Sequence, residues 1–526
     1  MNFNIDKINR EIFHREVYYF GLILLVVSLP LSVFGISLSQ FILAGNWILE
    51  GNFRNKISIL KRNKGLLIFT GLYIIHIIWL INTSDFNYAL KDLRIKLPLL
   101  ILPLIIGSTP SLKFKRIHGL IYFFSAGVVI SSFISIGVLL GFSGKEINDY
   151  RDLSVYISHI RFSLMINTVI FLMYYIYYKK LILFRKSERI GVLFVIIWLA
   201  VFLFILRSQT GLVVFCLLTS FFIIRYIIIS RNIYIKSAIV VIAISLITIL
   251  LYTLNHVYCD YNSINESAAT DKYTVNGRLY LHNKNTVRYE NGYVVWNYYC
   301  EQELKTEWNK RSKLDFEGTD KIGNVLSHTL ARYLTSKGLR KDSCGITALS
   351  DADINAIEGG YANYIYLKPF SLYSFLYKQF WIIDSYIKGD NPSGHSVTQR
   401  LEYIKAATCI ICENYFWGTG TGDVRNAYTK YYSTYETQLE PKRQLRAHNQ
   451  WLTFFLSFGL IGFILSLSVI FVPVLIEKMY KNYWFLLPFA ISVISFFNED
   501  TLETQAGVTF FTFFYVFFMA NKKPRK

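Results

Sequence analysis

A chain of 526 residues that is 53% hydrophobic and 17% aromatic, with only 10 prolines, does not fit an ordinary soluble protein. Its formal net charge of +20 invites a nucleic-acid reading. The Lys and Arg residues collect in short loops between apolar runs, however, where they mark the cytoplasmic side of a membrane. The excess is a topology signal, and no nucleic acid is expected as a partner.

Twelve apolar runs follow one another near 17–36, 37–50, 65–81, 95–107, 118–141, 160–178, 190–206, 209–230, 235–254, 450–475, 482–497 and 506–520. A run of about 17–25 residues crosses a hydrocarbon core roughly 30 Å thick; the second, fourth and eleventh are short. The first is long and lacks a small-residue cleavage site, so it is expected to remain as an anchor. Basic clusters stand at Lys7, Arg10 and Arg15 and within 54–64, 113–116, 179–189, 225–236, 478–481 and 522–526. They fall on one side of the alternating spans, which places both termini in the cytoplasm.

These runs divide the chain into a membrane domain of about nine spans at 1–254, an outer segment at 255–447 and a second membrane domain of about three spans at 448–526. The outer segment is polar, rich in tyrosine and nearly balanced in charge, which suits a folded domain outside the membrane, in the periplasm if the envelope has two membranes. It holds Cys259, Cys300, Cys344, Cys409 and Cys412, five of the six cysteines; "CIIC" at 409–412 is expected to be packed or disulfide-bonded. From 265 to 300 apolar and polar residues alternate around Asn-Gly pairs at 276–277 and 291–292, the mark of β-hairpins. The aromatic stretch 359–389 reads as a helix lying on the outer membrane interface. An amphipathic helix at 396–416, with Leu401, Ile404 and Ile411 on its apolar face, then ends at "WGTGTGDV" (417–424). The expected fold is an all-α polytopic membrane protein of about twelve transmembrane helices, with a mixed α/β extracytoplasmic domain between the ninth and tenth.

Four cationic or titratable side chains share the outer boundary: Arg161 in "SHIRFSL", Arg207 in "RSQTG", Arg400 at the start of the amphipathic helix, and His448 before span ten. An arginine at the hydrocarbon edge is costly unless paired, and it either anchors to lipid phosphate or serves a site. Two or more guanidiniums at that depth can clamp a diphosphate through paired, planar hydrogen bonds. A neutral imidazole can then take a proton from an attacking hydroxyl, with Asn449 orienting it. Gly459 and Gly462 either permit close helix packing or admit a lipid tail. Gly418, Gly420 and Gly422 form either a tight turn or a cradle of backbone amides; the stretch does not match a P-loop. No HExxH, no Cys/His set of zinc spacing and no acidic cluster suited to magnesium stands out, so neither metal nor cofactor is expected.

"HN", nine residues and "GLIG" from His448 resemble the signature of bacterial O-antigen ligases, shared loosely with O-antigen polymerases and pilin oligosaccharyltransferases. "TQRLEYIKAA", "WGTGTGD" and "HIRFSL" are similar to the family's arginine helix, glycine turn and earlier arginine segment. The resemblance implies a type-C membrane glycosyltransferase that moves a glycan from undecaprenyl diphosphate to a lipid A–core sugar, inverting and without metal. It implies that Arg161 and Arg400 bind the diphosphate and that His448 activates the acceptor hydroxyl. Where the family often reads Ser-Arg-small-Gly, this chain has "SQTG" at 208–211, so Arg207 would have to replace that cation. Polymerase and protein O-oligosaccharyltransferase are the alternatives with the same chemistry; a polysaccharide transporter or flippase is the alternative from another class, though its midplane charges and paired broken helices are not visible.

Overall fold

The computed structural model describes residues 2–142, 144, 150–179, 186–230, 232–265, 271–282, 288–368 and 371–522. Lys180, Arg185, Arg231, Lys523, Arg525 and Lys526 of the basic clusters, and 266–270 and 283–287 of the hairpin region, lie outside the described residues. Two compact units divide the chain: residues 1–226 together with 399–526, and residues 227–398.

The chain opens with α1 (Asn2–Leu31), α2 (Val33–Glu50), α3 (Phe53–Arg62), α4 (Lys64–Ile78) and α5 (Phe86–Lys96). There follow α6 (Pro98–Ser108), α7 (Phe114–Leu139), α8 (His159–Lys179), α9 (Lys186–Ile205) and α10 (Gln209–Ile229). The second unit holds α11 (Ile233–Asn262), α12 (Glu301–Arg311), α13 (Leu326–Ser336), α14 (Ser343–Thr347), α15 (Asp351–Glu358) and α16 (Leu372–Ile387). The chain closes with α17 (Ser396–Glu413), α18 (Val424–Thr434), α19 (Gln450–Ile476), α20 (Tyr483–Ser495) and α21 (Gln505–Ala520).

Among the described residues nine helices are long and apolar enough to cross a membrane: α1, α2, α4, α7 to α11, and α19. Helix α9 shows why lipid must surround them. Phe194, Ile197, Val201 and Phe204 form one exposed apolar stripe, a surface stable against hydrocarbon and not against water. The chain is a multi-pass membrane protein. Three of the twelve apolar runs form shorter helices. The run at 95–107 becomes α6, whose 11 residues rise only about 16 Å, half a hydrocarbon core. Helices α20 and α21 have 13 and 16 residues. Protein rather than lipid surrounds α21: every residue from Ala506 to Met519 is buried.

Residues 399–447 group with these membrane helices rather than with the outer segment in which the sequence placed them. The reason is the glycine turn, whose backbone docks into a break in α19, described below. The buried stripe of α17 is Tyr403, Ala406, Ala407, Ile410 and Ile411, spaced as one helical face. Of the three apolar residues expected there, Leu401 and Ile404 are exposed instead.

The second unit is mostly helical around a core of Trp308, Tyr333, Leu330 and Ile357. Among the described residues its sheet is smaller than the alternation suggested: β1 (Tyr289–Glu290) pairs with β2 (Tyr293–Val294). Asn291 and Gly292 join them with φ of 52° and 86°, the two left-handed residues that a tight hairpin of this hand needs. A second small hairpin closes at Asn276-Gly277, with the Thr274 amide donating to the Arg278 carbonyl at 2.7 Å. Helix α16 docks on the end of α11: Tyr261 donates to Asp384 at 2.8 Å, and Tyr373 donates to Asp260 at 2.7 Å. All six cysteines are free thiols.

Candidate functional site

The site is built on the start of α19 and the loop between α20 and α21. Asn449 caps α19 from extended backbone (φ −152°). Its Oδ1 accepts from the Leu452 amide at 3.0 Å, while its Nδ2 donates to the Phe497 carbonyl at 2.9 Å. The Gln450 amide donates to the Phe496 carbonyl at 2.9 Å, and its side-chain oxygen accepts from the Leu502 amide at 2.8 Å. These bonds tie the loop to the helix start and leave His448 fixed beside it. The Asn449 amide is engaged at both ends and holds this junction, with its second N–H left for a further acceptor.

The loop carries Asn498, Glu499 and Asp500, and three of the residues singled out in the sequence converge on them. His448 Nδ1 lies 3.7 Å from an Asp500 carboxylate oxygen. That nitrogen is buried without a hydrogen bond among the described residues, so the exposed third of the side chain is the rest of the ring, including Nε2. The Tyr403 ring packs edge-on against the imidazole, centroids 6.0 Å apart. Arg161, in the first turn of α8, donates to the Asp500 carbonyl at 3.4 Å and stands 3.9 Å from its carboxylate. Its buried Nε has no acceptor among the described residues. Arg400 on α17 donates to Asn498 and stands 3.9 Å from Glu499. Asn498 in turn donates to Thr210 in the first turn of α10 at 2.7 Å.

A second layer supports the first. Arg446 bridges Asp500 at 3.0 Å and Glu503 at 3.1 Å. Glu503 also meets Lys96 at 2.9 Å, and Lys96 meets Asp92 at 2.6 Å. Four cations (Lys96, Arg161, Arg400, Arg446) thus face four carboxylates (Asp92, Glu499, Asp500, Glu503). Burial, reinforced by the Asp500 charge, holds the Glu499 carboxyl above its usual range. Burial also works on Glu503, but Lys96 and Arg446 outweigh it and hold that carboxyl well below the usual range. Arg446 is likewise desolvated, yet Glu503 and Asp500 keep it firmly charged.

One ligand-type atom each from His448, Glu499 and Asp500 lies within 4.8 Å of the others, a spacing that can hold a metal ion. Three guanidiniums already stand within ion-pairing distance of these carboxylates, and their charge opposes a divalent cation there.

Arg207 lies exposed in the turn between α9 and α10, in left-handed backbone (φ 50°). Thr210, just after that turn, accepts from Asn498 of the cluster. The glycine turn is packed into protein. The Thr419 and Gly420 amides donate to the Leu456 and Ser457 carbonyls, both at 2.9 Å, where α19 breaks at Gly459 (φ 61°, ψ −170°). A Cβ at Gly418 would strike the Gly459 amide, at Gly420 the Asn82 carbonyl, and at Gly422 the Asp85 carbonyl. These glycines therefore make a turn that admits backbone from the segment between α4 and α5 and from α19, and Gly462 makes room for Trp79.

The sequence reading missed Glu499, Asp500, Arg446, Glu503 and Lys96. A signal was present: "FNEDTLE" puts three acids between two wholly apolar helices, where ionisable groups are costly without partners.

Residues 365–467 match the family model described as O-antigen ligase. Over that stretch, about a fifth of its length, the chain is similar to O-antigen ligases. No curated protein matches the sequence. The matched stretch contains Arg400, the glycine turn, His448 and the break at Gly459, whereas Arg161 and the 498–503 loop lie outside it. The similarity is to membrane enzymes of the O-antigen ligase type and supports the functional reading below.

Proposed function

We propose that the chain transfers a glycan from undecaprenyl diphosphate to a lipid A–core sugar at the periplasmic face of a bacterial inner membrane, through twelve apolar helices with both termini cytoplasmic. The observation that carries this reading is the meeting of His448, Arg161 and Arg400 on one loop, with a buried nitrogen on both His448 and Arg161 that has no hydrogen bond among the described residues.

In this reading Arg161 and Arg400 turn from Asp500 and Glu499 toward the donor diphosphate, which they bind in planar, charge-assisted pairs. A carboxylate facing the same guanidiniums competes with phosphate, so the raised Glu499 matters: once protonated it no longer opposes the incoming anion. His448 Nε2 takes the proton of the acceptor hydroxyl. That oxygen forms a bond to the anomeric carbon as the bond from carbon to the diphosphate oxygen breaks, and undecaprenyl diphosphate leaves. Attack opposite the leaving group inverts the centre. Asp500 faces the other imidazole nitrogen and stabilises the imidazolium as it forms. Its 3.7 Å separation is longer than a hydrogen bond, as is common for catalytic pairs before substrate tightens them. The guanidiniums supply the leaving-group stabilisation that a metal provides elsewhere, so the reaction is metal-independent.

Purified protein supplied with undecaprenyl-diphosphate-linked glycan, with and without lipid A–core, tests the assignment. Glycan on lipid A–core, formed in the presence of a chelator, is the expected product. Lengthened lipid-linked glycan alone would make the enzyme a polymerase, and loss of all product with chelator would return the metal to the His448 cluster.

A further inference from the structure

The second unit contains a cleft that nothing in the transfer site uses. It measures about 640 Å³ and opens where the end of α11, the β1–β2 turn, the end of α13 and the start of α16 meet. That is within the range of about 300–1,000 Å³ typical of small-molecule pockets. Four tyrosines line it: Tyr293, Tyr364, Tyr373 and Tyr377. Two are engaged, since Tyr373 donates to Asp260 at 2.7 Å and the Tyr377 oxygen accepts from the Asn291 amide at 3.2 Å. Tyr293 and Tyr364 carry no hydrogen bond on their hydroxyls among the described residues, and Tyr364 is exposed.

The remaining lining narrows the ligand. Asp260 and Lys337 are its charged groups, one of each sign, and Lys337 is already paired with Asp353 at 2.7 Å. A cleft without excess charge does not select phosphate, nucleic acid or a polyanion. Asn265, Asn291 and Ser263 make its wall too polar for a lipid tail or an apolar helix. Asn291 is positioned by its own bond to the Ser336 carbonyl at 2.7 Å. Amphipathic rings beside amide and hydroxyl groups suit a ligand with apolar C–H faces and many hydroxyls.

We propose that this cleft binds a neutral oligosaccharide segment of the glycan handled by the enzyme, stacking it on Tyr293 and Tyr364 and hydrogen-bonding it through Asp260 and Asn265. The cleft's chemistry stands by itself; that its ligand is the transferred glycan rests on the function proposed above. The outer unit then serves to hold the sugar chain during transfer.

The test uses the full chain in lipid nanodiscs. The probe is the lipid-free polysaccharide released by mild acid from the lipopolysaccharide of the strain that encodes the protein. Binding is read by saturation-transfer-difference NMR and transfer in a parallel assay. Wild type and His448→Ala should bind alike, whereas Tyr293→Ala/Tyr364→Ala should bind at least tenfold more weakly. Tyr293→Phe, which keeps the ring, should bind close to wild type and so excludes unfolding as the cause. Equal binding by the double alanine variant and wild type would overturn the proposal, as would no binding by wild type. Normal transfer by His448→Ala would instead overturn the catalytic reading and leave the cleft intact.

Discussion

Replacing Asp500 with Asn separates a catalytic carboxylate from a merely structural one. Asp500 lies 3.7 Å from His448 Nδ1, a distance at which opposite charges interact by about 4 kcal/mol at an effective dielectric near 20. The histidine side chain is one-third exposed, and screening reduces the usable part to about 1–3 kcal/mol. The interaction exists only once His448 has taken a proton, so it acts on the transition state and belongs in kcat, which should fall roughly 10- to 100-fold. The same carboxylate faces Arg161 and Arg446. Removing it frees cationic charge, so the KM for lipid-linked donor should hold steady or fall. Steady-state turnover of a labelled lipid-linked glycan against donor concentration measures both. An unchanged kcat with a raised donor KM would refute the reasoning and make Asp500 part of substrate binding.

Lys96→Met strands Asp92 and Glu503 in a buried site and should destabilise the protein by about 3–5 kcal/mol. Thermal unfolding in detergent should show a clear loss that Asp92→Asn/Glu503→Gln in the same background restores; no loss for Lys96→Met would mean the network is not holding the loop. Glu499 is neutral below its raised pKa and anionic above it, so repulsion grows and donor KM should rise as pH climbs through that point. Glu499→Gln should abolish that rise, and an identical pH profile in the variant would remove Glu499 from the donor site. Gly459→Ala places a side chain in a positive-φ conformation that is essentially restricted to glycine, which costs roughly 1–3 kcal/mol, and drives its Cβ into the Phe416 carbonyl. Much lower membrane yield and thermal stability should result; wild-type values would show that the turn does not lock into α19.

The membrane character was legible because apolar runs of span length leave few alternatives, and the nine long helices overlap them. What the runs could not show was which helices lipid surrounds: α21 is as apolar as the others but is wrapped in protein. The two Asn-Gly hairpins were legible from turn chemistry alone. The buried face of α17 was not, because Ala406 and Ala407 carry little hydrophobic weight beside Leu401 and Ile404, yet small residues are what a close helix contact demands. Arg161, Arg400 and His448 stood out as cations beside hydrocarbon. Their acidic counterparts did not, because a reading for metal ligands passes over carboxylates whose partners are guanidiniums from distant helices.

The most direct measurement is complementation of a ligase-deficient strain with His448→Ala, with the amount of inserted protein checked in the same membranes. An imidazole that removes the acceptor proton leaves no substitute when deleted, so the gel should show only unextended lipid A–core at normal protein level. Full-length lipopolysaccharide at that level would contradict the account.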